Sequence, residues 1–163
     1  MDKDLELAKR TLNIMSVNLQ SSEVCLSENI LASEFSVKGL VKQIYRNVIS
    51  VIELEAGNDE KKWFEYHFIY AVGMRFIEPQ DDADDLVENE GEYSSAIILE
   101  IKGKFKAIYL SFDQLDSDKI KAFSSDNVGY HVWPYWREFV QSTCNRLAIE
   151  TVSVPTYIVE SSN

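Results

Sequence analysis

The clearest pattern in the chain is an alternation of large apolar residues with smaller or polar ones between positions 63 and 77. The large apolar residues would share one face of an extended chain: Phe64, Tyr66, Phe68, Tyr70, Val72, Met74 and Phe76. The other face would carry Trp63, Glu65, His67, Ile69, Ala71, Gly73 and Arg75. A period of two over this length predicts a long strand with one buried face and one partly wet face.

Three further segments predict strands that pair with it. The stretch VKQIYRNVISVIELEAG, residues 41–57, is rich in β-branched residues, which favours a strand. Gly57-Asn58-Asp59 at its end are residue types that favour a turn, so a hairpin is expected there. In the stretch from Ala96 to Leu110, Gly103 suggests a bulge or bend. Residues 2–15 could begin as a short helix, but we favour frayed first residues followed by a strand. The expected antiparallel strands cover residues 12–26, 42–56, 61–77 and 95–111.

A helical pattern begins at Pro134, which suits the first turn of a helix because its missing N–H is not needed there. Apolar and small residues follow at helical spacing: Trp136, Phe139, Val140, Thr143, Cys144 and Leu147. One or two helical turns are expected in 113–123, and loops are expected in 28–40 and in the acidic stretch 78–92. The predicted fold is a single α+β domain, 1–163, with a long C-terminal helix packed on one face of a four-stranded antiparallel sheet.

Four aromatic residues crowd the predicted start of this helix: Tyr130, Trp133, Tyr135 and Trp136. They cannot all point into one helix–sheet core, so some are expected at an edge, where Trp and Tyr commonly form contact surfaces. The alternative, which we weight equally, is that these aromatic residues pack within the corner between the loop and the helix and form no contact surface.

Composition narrows the range of partners. The chain has 163 residues, 45% hydrophobic and 26% charged, with a formal net charge of −11. This charge argues against nucleic acid and against an anionic membrane surface. Two cysteines, no signal peptide in MDKDLELAKR and no membrane-length apolar run predict a reducing cytoplasmic location.

The chain lacks the familiar sequence motifs of catalysis. HExxH, GxxxxGK[ST], GxGxxG and GxSxG are all absent. With only His67 and His131, a metal cluster is not expected, and the acids of 81–85 lack the EF-hand spacing. Cys144 is expected to be a core residue. We therefore predict no enzyme, no metal and no cofactor.

The helix region resembles the C-terminal part of the SecB export chaperone family. The matching features are Asn127, Pro134-Tyr135, Arg137-Glu138 and, after the helix, Val154-Pro155. Further back, AIILEIKGKFKAIYL is similar to the family's fourth strand, FEYHFIYAVGM to its third and SSEVCLSEN to its first. The resemblance covers residues from about Leu12 to Tyr157 and is strongest at the helix.

This resemblance implies an ATP-independent holding chaperone that binds unfolded preproteins in apolar grooves and assembles as a homotetramer, a dimer of dimers. The four aromatic residues would then be client contacts. The family's partner ATPase, SecA, docks on the acidic sheet surface. Ile98 and Glu100 match strand-four positions used against SecA, Glu23 matches an acidic position on strand one, and Glu28 lies near a second.

Two departures widen the functional prediction. The family's second C-terminal helix and SecA-contacting tail have no counterpart in the residues after Tyr157, and the acidic loop 78–92 is longer than the family's hairpin. Some SecB-like proteins instead protect an aggregation-prone antitoxin in a toxin–antitoxin system, a role that needs the groove but not the tail. A dedicated adaptor with one specific partner is the alternative.

Overall fold

Four antiparallel strands and a long helix make up most of the molecule. The structure, a computed structural model, describes residues 3–58, 60–79 and 96–158. Its elements are α1 (Lys3–Thr11), β1 (Asn13–Leu26), β2 (Val41–Gly57), β3 (Lys62–Ile77), β4 (Ile97–Ser111) and α2 (Ser117–Leu147). The strands form one sheet in the order β1-β4-β3-β2. The predicted fold class is confirmed, and each strand lies within two residues of its predicted bounds.

The two inner strands carry the core. On β3 the alternation seen in the sequence is real, because Tyr66, Phe68, Val72 and Met74 are almost completely buried. On β4 the odd-numbered residues from Leu99 to Tyr109 are buried on the same face. The outer strands are mostly exposed, and β2 has only partly buried or exposed positions along its whole length.

The expectation of frayed N-terminal residues is wrong, because residues 3–11 form α1. Ala8 is fully buried and Leu12 nearly so, and both belong to the main core cluster. The first turn of α1 is acidic and the last turn is basic, which favours the helix through its dipole. Burial of Ala8 and Leu12 against the core thus turns a weak local helix signal into an ordered element.

The long helix α2 begins at Ser117, not at Pro134 as predicted. Asp116 caps it by accepting a hydrogen bond from the Lys119 backbone N–H at 3.0 Å. Pro134 lies inside the helix, where proline costs about 3 kcal/mol. Its neighbours Val132, Trp133 and Trp136 are buried, and each contributes about 1.5–3 kcal/mol. Packing therefore carries the helix through the proline, and the one or two turns predicted in 113–123 are its first turns.

The connecting segments largely match their predictions. Residues 28–40 form a crossing loop with a short 3-10 turn at Ala32–Glu34, and Phe35 anchors the loop against Phe76 with ring centroids 6.4 Å apart. At the β2–β3 turn, Gly57 has a φ of 124°, a conformation that favours glycine. Most of the acidic stretch 78–92 lies outside the described residues, as does Asp59.

After α2 the chain doubles back and crosses the helix in extended form. Ala148 ends α2 in the left-handed conformation, and residues 149–158 follow. The Trp133 indole N–H donates to the Pro155 carbonyl at 2.7 Å. The Tyr157 ring lies directly over Gly129, where a Cβ would come within 2.7 Å of the Tyr157 Cζ. Gly129 is therefore a packing requirement inside the helix.

This contact predicts a change of sign in a double-mutant cycle. Gly129→Ala should destabilise the protein by about 1–3 kcal/mol, because the new methyl group overlaps the Tyr157 ring. In a Tyr157→Ala background the same change should be neutral or stabilising by up to about 1 kcal/mol, since Ala is the better helix former. Urea unfolding of the four variants measures both effects, and stabilisation by Gly129→Ala alone would contradict the packing described here.

Candidate functional site

A cleft of about 660 Å³ separates β2 from the N-terminal half of α2. Six consecutive residues of β2, 46–51, line one wall, and Tyr70 of β3 contributes to the lining. The other wall belongs to α2 and carries Ser117, Ile120, Lys121, Ser124 and Ser125. Tyr157, from the segment that crosses α2, also lines the cleft. The cleft is long enough for about six residues of extended chain, roughly 20 Å.

The consecutive run shows that the edge of β2 itself faces the cleft. Side chains along a strand alternate between faces, so neighbouring residues line one cavity together only where the backbone edge borders it. Among the described strands β2 pairs only with β3, which leaves the N–H and C=O groups of its other edge without strand partners. Such an edge is a template for an added strand.

The cleft also offers apolar contact area along this edge. Val48 and Val51 are half-buried, and Tyr70 is buried at the base. A register shift between Val48 and Ser50 marks a bulge at Ile49, whose side chain is 50% exposed. A strand edge beside apolar side chains and helix hydroxyls suits an extended polypeptide, which can pair with the backbone and pack alternate side chains.

Arg46 fixes one end of the cleft. Its guanidinium carbon lies 4.4 Å from the centroid of the Tyr157 ring and 5.4 Å from that of Trp133. It also donates to the Ile158 carbonyl at 3.3 Å. These contacts hold the crossing segment against β2, so the geometry of the cleft depends on the packing of 149–158.

The structure separates the four aromatic residues predicted from sequence. Tyr130 and Tyr135 are 59% and 48% exposed, whereas Trp133 and Trp136 are 4% and 0% exposed and belong to the core. The Trp136 indole N–H is buried and has no hydrogen-bond partner among the described residues. The Tyr130 ring lies 6.5 Å from Tyr157, which places it beside the cleft. Only part of the predicted aromatic set is therefore accessible in this chain.

Two of the predicted acidic residues, Glu23 and Glu100, lie on the face of the sheet that is turned away from α2. Lys102 joins them, with its Nζ 2.9 Å from Glu100 Oε2 and 3.4 Å from Glu23 Oε2. The hydrogen bond that the Lys102 ammonium donates to Glu100 raises the pKa of Lys102. Glu28 is exposed in the turn after β1, and Ile98 is buried. Glu23 and Glu100 are thus brought together, while Ile98 serves the core.

The remaining residues that were considered for chemistry are His131 and the two cysteines. His131 Nδ1 and the Tyr109 hydroxyl are 2.9 Å apart, and burial lowers the pKa of His131 and raises that of Tyr109. Cys144 is buried, as predicted, and Cys25 is exposed. In the described part of the chain, no group of three His, Cys, Asp or Glu residues could hold a metal ion, and no helix could span a membrane.

Comparison with known proteins locates the fold. The chain matches no protein-family model and no curated protein sequence. Its structure is similar to the Mycobacterium tuberculosis SecB-like chaperone Rv1957, solved with a ChAD peptide from the Rv1956 HigA1 antitoxin. The TM-score is 0.62, the sequences are 11% identical, and the match covers 99% of this chain and 100% of that chain. The chain has a SecB-like fold, as the sequence resemblance predicted.

Sequence reasoning missed the cleft residues of α2. The sequence prediction began the long helix at Pro134, and it therefore did not include Ile120, Lys121 and the nearby serines among the candidate site residues. The signal was present in Asp116, a favourable N-cap residue, followed by Ile120 and Phe123 at helical spacing. Edge position could not be inferred, because strand order is set by tertiary packing and not by the pattern within β2.

The burial of the indoles predicts different outcomes for matched aromatic substitutions. Trp136→Ala should reduce the free energy of unfolding by about 3–5 kcal/mol, because it empties a fully buried site. Tyr135→Ala, one position away on the exposed side of α2, should change it by no more than about 0.5 kcal/mol. Urea denaturation followed by far-UV circular dichroism measures both. A small effect of Trp136→Ala would show that the indole is not a core residue.

Proposed function

We propose that the protein is an ATP-independent holding chaperone that binds extended segments of unfolded polypeptide in the cleft between β2 and α2. The observation that carries this proposal is the edge of β2 that no other described strand pairs with, which lies along a partly apolar cleft. Main-chain pairing is independent of sequence, which suits a protein that holds many clients. The fold shared with a SecB-like chaperone that binds an antitoxin peptide supports it.

The clients in this proposal are unfolded preproteins or an antitoxin. The exposed rings of Tyr130 and Tyr135 would add apolar contacts, with Trp133 and Trp136 supporting that surface from the core. Both cysteines are free thiols, which suits the proposed cytoplasmic location. A dedicated adaptor with one partner would use the same cleft, so breadth of client binding separates the two functions.

The outer face of the sheet is the proposed contact for a partner ATPase such as SecA. Glu23 and Glu100 lie together there around Lys102, and Glu28 is exposed nearby in sequence. Ile98, being buried, would shape this face from below. Glu100→Lys should weaken SecA binding without changing client protection, and this part of the proposal ends if purified SecA does not bind the wild-type protein.

Two isoleucines on β2 offer a matched test of the cleft. Ile49 lines the cleft and is 50% exposed, whereas Ile52 is 45% exposed and lies outside the cleft lining. Ile49→Gln should weaken client binding about fivefold, since roughly 1 kcal/mol of apolar contact is lost. Ile52→Gln should leave it unchanged. Light scattering during aggregation of a chemically unfolded client measures protection by both variants.

The same assay decides between a general chaperone and an adaptor. Several unrelated unfolded proteins should all aggregate more slowly in the presence of the wild-type protein. Protection of a single client would favour the adaptor, and equal loss of protection in the two isoleucine variants would remove the cleft as the site.

Assembly is the last part of the proposal. Both edge strands expose large apolar side chains, including Met15 at 62% and Leu19 at 44% on β1. Exposed apolar edges in a soluble protein are commonly covered by another copy. We therefore expect a homotetramer, or at least a dimer, in size-exclusion chromatography with light scattering. A strict monomer at micromolar concentration would contradict it.

A further inference from the structure

The cleft differs in charge from the rest of the chain. The whole sequence has 27 acidic and 16 basic residues. Among the described residues, the charged side chains that line the cleft are those of Arg46 and Lys121, and no described carboxylate is part of that lining. A cleft in so acidic a chain would be expected to collect acidic side chains, so this basic lining is a specific local feature.

Neither cation is neutralised by a carboxylate within the described part of the chain. Arg46 is held by aromatic rings and by the Ile158 carbonyl, which fix its position but leave its charge uncompensated. Lys121 forms no ion pair with any described acid, whereas Lys119, two residues earlier, is paired with Asp116. Asp116 is therefore used outside the cleft, and the two cleft cations remain available to a ligand.

The two cations also occupy different walls. Arg46 is the first of the six β2 residues that line the cleft, and Lys121 projects from α2 on the other side. The side chains of Val48, Val51 and Ile120 line the same cleft and offer apolar contact. A strand added beside β2 would pass through this apolar stretch and meet a cation on each wall. Its apolar residues would pack centrally, and its acidic residues would lie near Arg46 and Lys121.

From this arrangement we infer that the cleft selects extended segments in which a short apolar stretch is flanked by Asp or Glu. This inference rests on the proposed function and names the class of client that the cleft prefers. It runs against the long-range field of the protein, since a chain of net charge −11 attracts basic peptides in general. A preference for acidic peptides would thus report the local charges of the cleft.

Three fluorescein-labelled peptides test the inference. They share one alternating Val/Thr core of about six residues, the length that the cleft accommodates. They differ only in their flanks, which are Glu, Gln or Lys. By fluorescence anisotropy at low salt, the Glu peptide should bind the wild-type protein about fivefold more tightly than the Gln peptide, the size of one exposed ion pair. The Lys peptide should bind most weakly, and salt at about 1 M should remove the difference.

A charge reversal assigns the preference to the cleft. In Lys121→Glu, where Arg46 and the new carboxylate oppose each other, the preference for the Glu peptide should be lost, because the Glu peptide loses affinity and the Lys peptide gains it. The matched control is Lys104→Glu, on the exposed outer face of β4, which changes the net charge equally. This control should keep the wild-type order. Both sites are at the surface, and circular dichroism confirms that the variants fold.

The outcomes separate failure of this inference from failure of the proposed function. Equal affinity for all three peptides, tightest binding of the Lys peptide, or the same response in both variants would overturn the charge preference while leaving a peptide-binding cleft. Absence of binding by every peptide would overturn the proposed function as well. Peptide binding that releases a second copy of the protein, seen by light scattering, would assign the cleft to self-association and overturn the inference.

Discussion

The packing of α2 across the inner strands is the interaction on which the rest of the structure depends. Its centre is a cluster of rings in which Phe68 and Phe123 both meet Tyr109 edge to face, with centroids 5.3 and 5.1 Å apart. Val132, Trp136 and Val140 continue this contact along the helix. Aromatic burial of this extent offsets the cost of Pro134 in the middle of α2. The helix can therefore be long enough to cover the sheet with a single element.

The position of the helix also determines what remains uncovered. The helix α2 packs against β2, β3 and β4 and leaves the cleft beside residues 46–51 of β2. The segment 149–158 closes only one end, through Tyr157 and Arg46. The same packing thus builds a stable core and leaves, beside apolar side chains, a strand edge that no other described strand pairs with. We regard this combination as the physical basis of the proposed polypeptide holding, since a fully covered edge would offer no backbone for pairing.

The sequence predicted what depends on local periodicity and missed what depends on tertiary context. The period-two pattern of β3 is strong enough to define its bounds and its buried face. The helix start predicted at Pro134 was wrong. Proline prefers the first turn of a helix, but the burial of Val132 and Trp136 on either side of it outweighs this local preference. Crowding of Trp133 and Trp136 suggested an exposed edge, yet the crossing segment covers Trp133 through Pro155 and Tyr157. The sequence pattern within β2 does not indicate that β2 is an edge strand.

Hydrogen exchange of the β2 backbone tests the central claim most directly. Amides of residues 46–51 should exchange quickly in the free protein wherever they point away from β3, because no other described strand protects them. Addition of an unfolded client should slow exchange in this segment, while the exchange rates of the β4 amides should stay unchanged. Protection confined to other strands, with 46–51 exchanging as fast as before, would contradict the account.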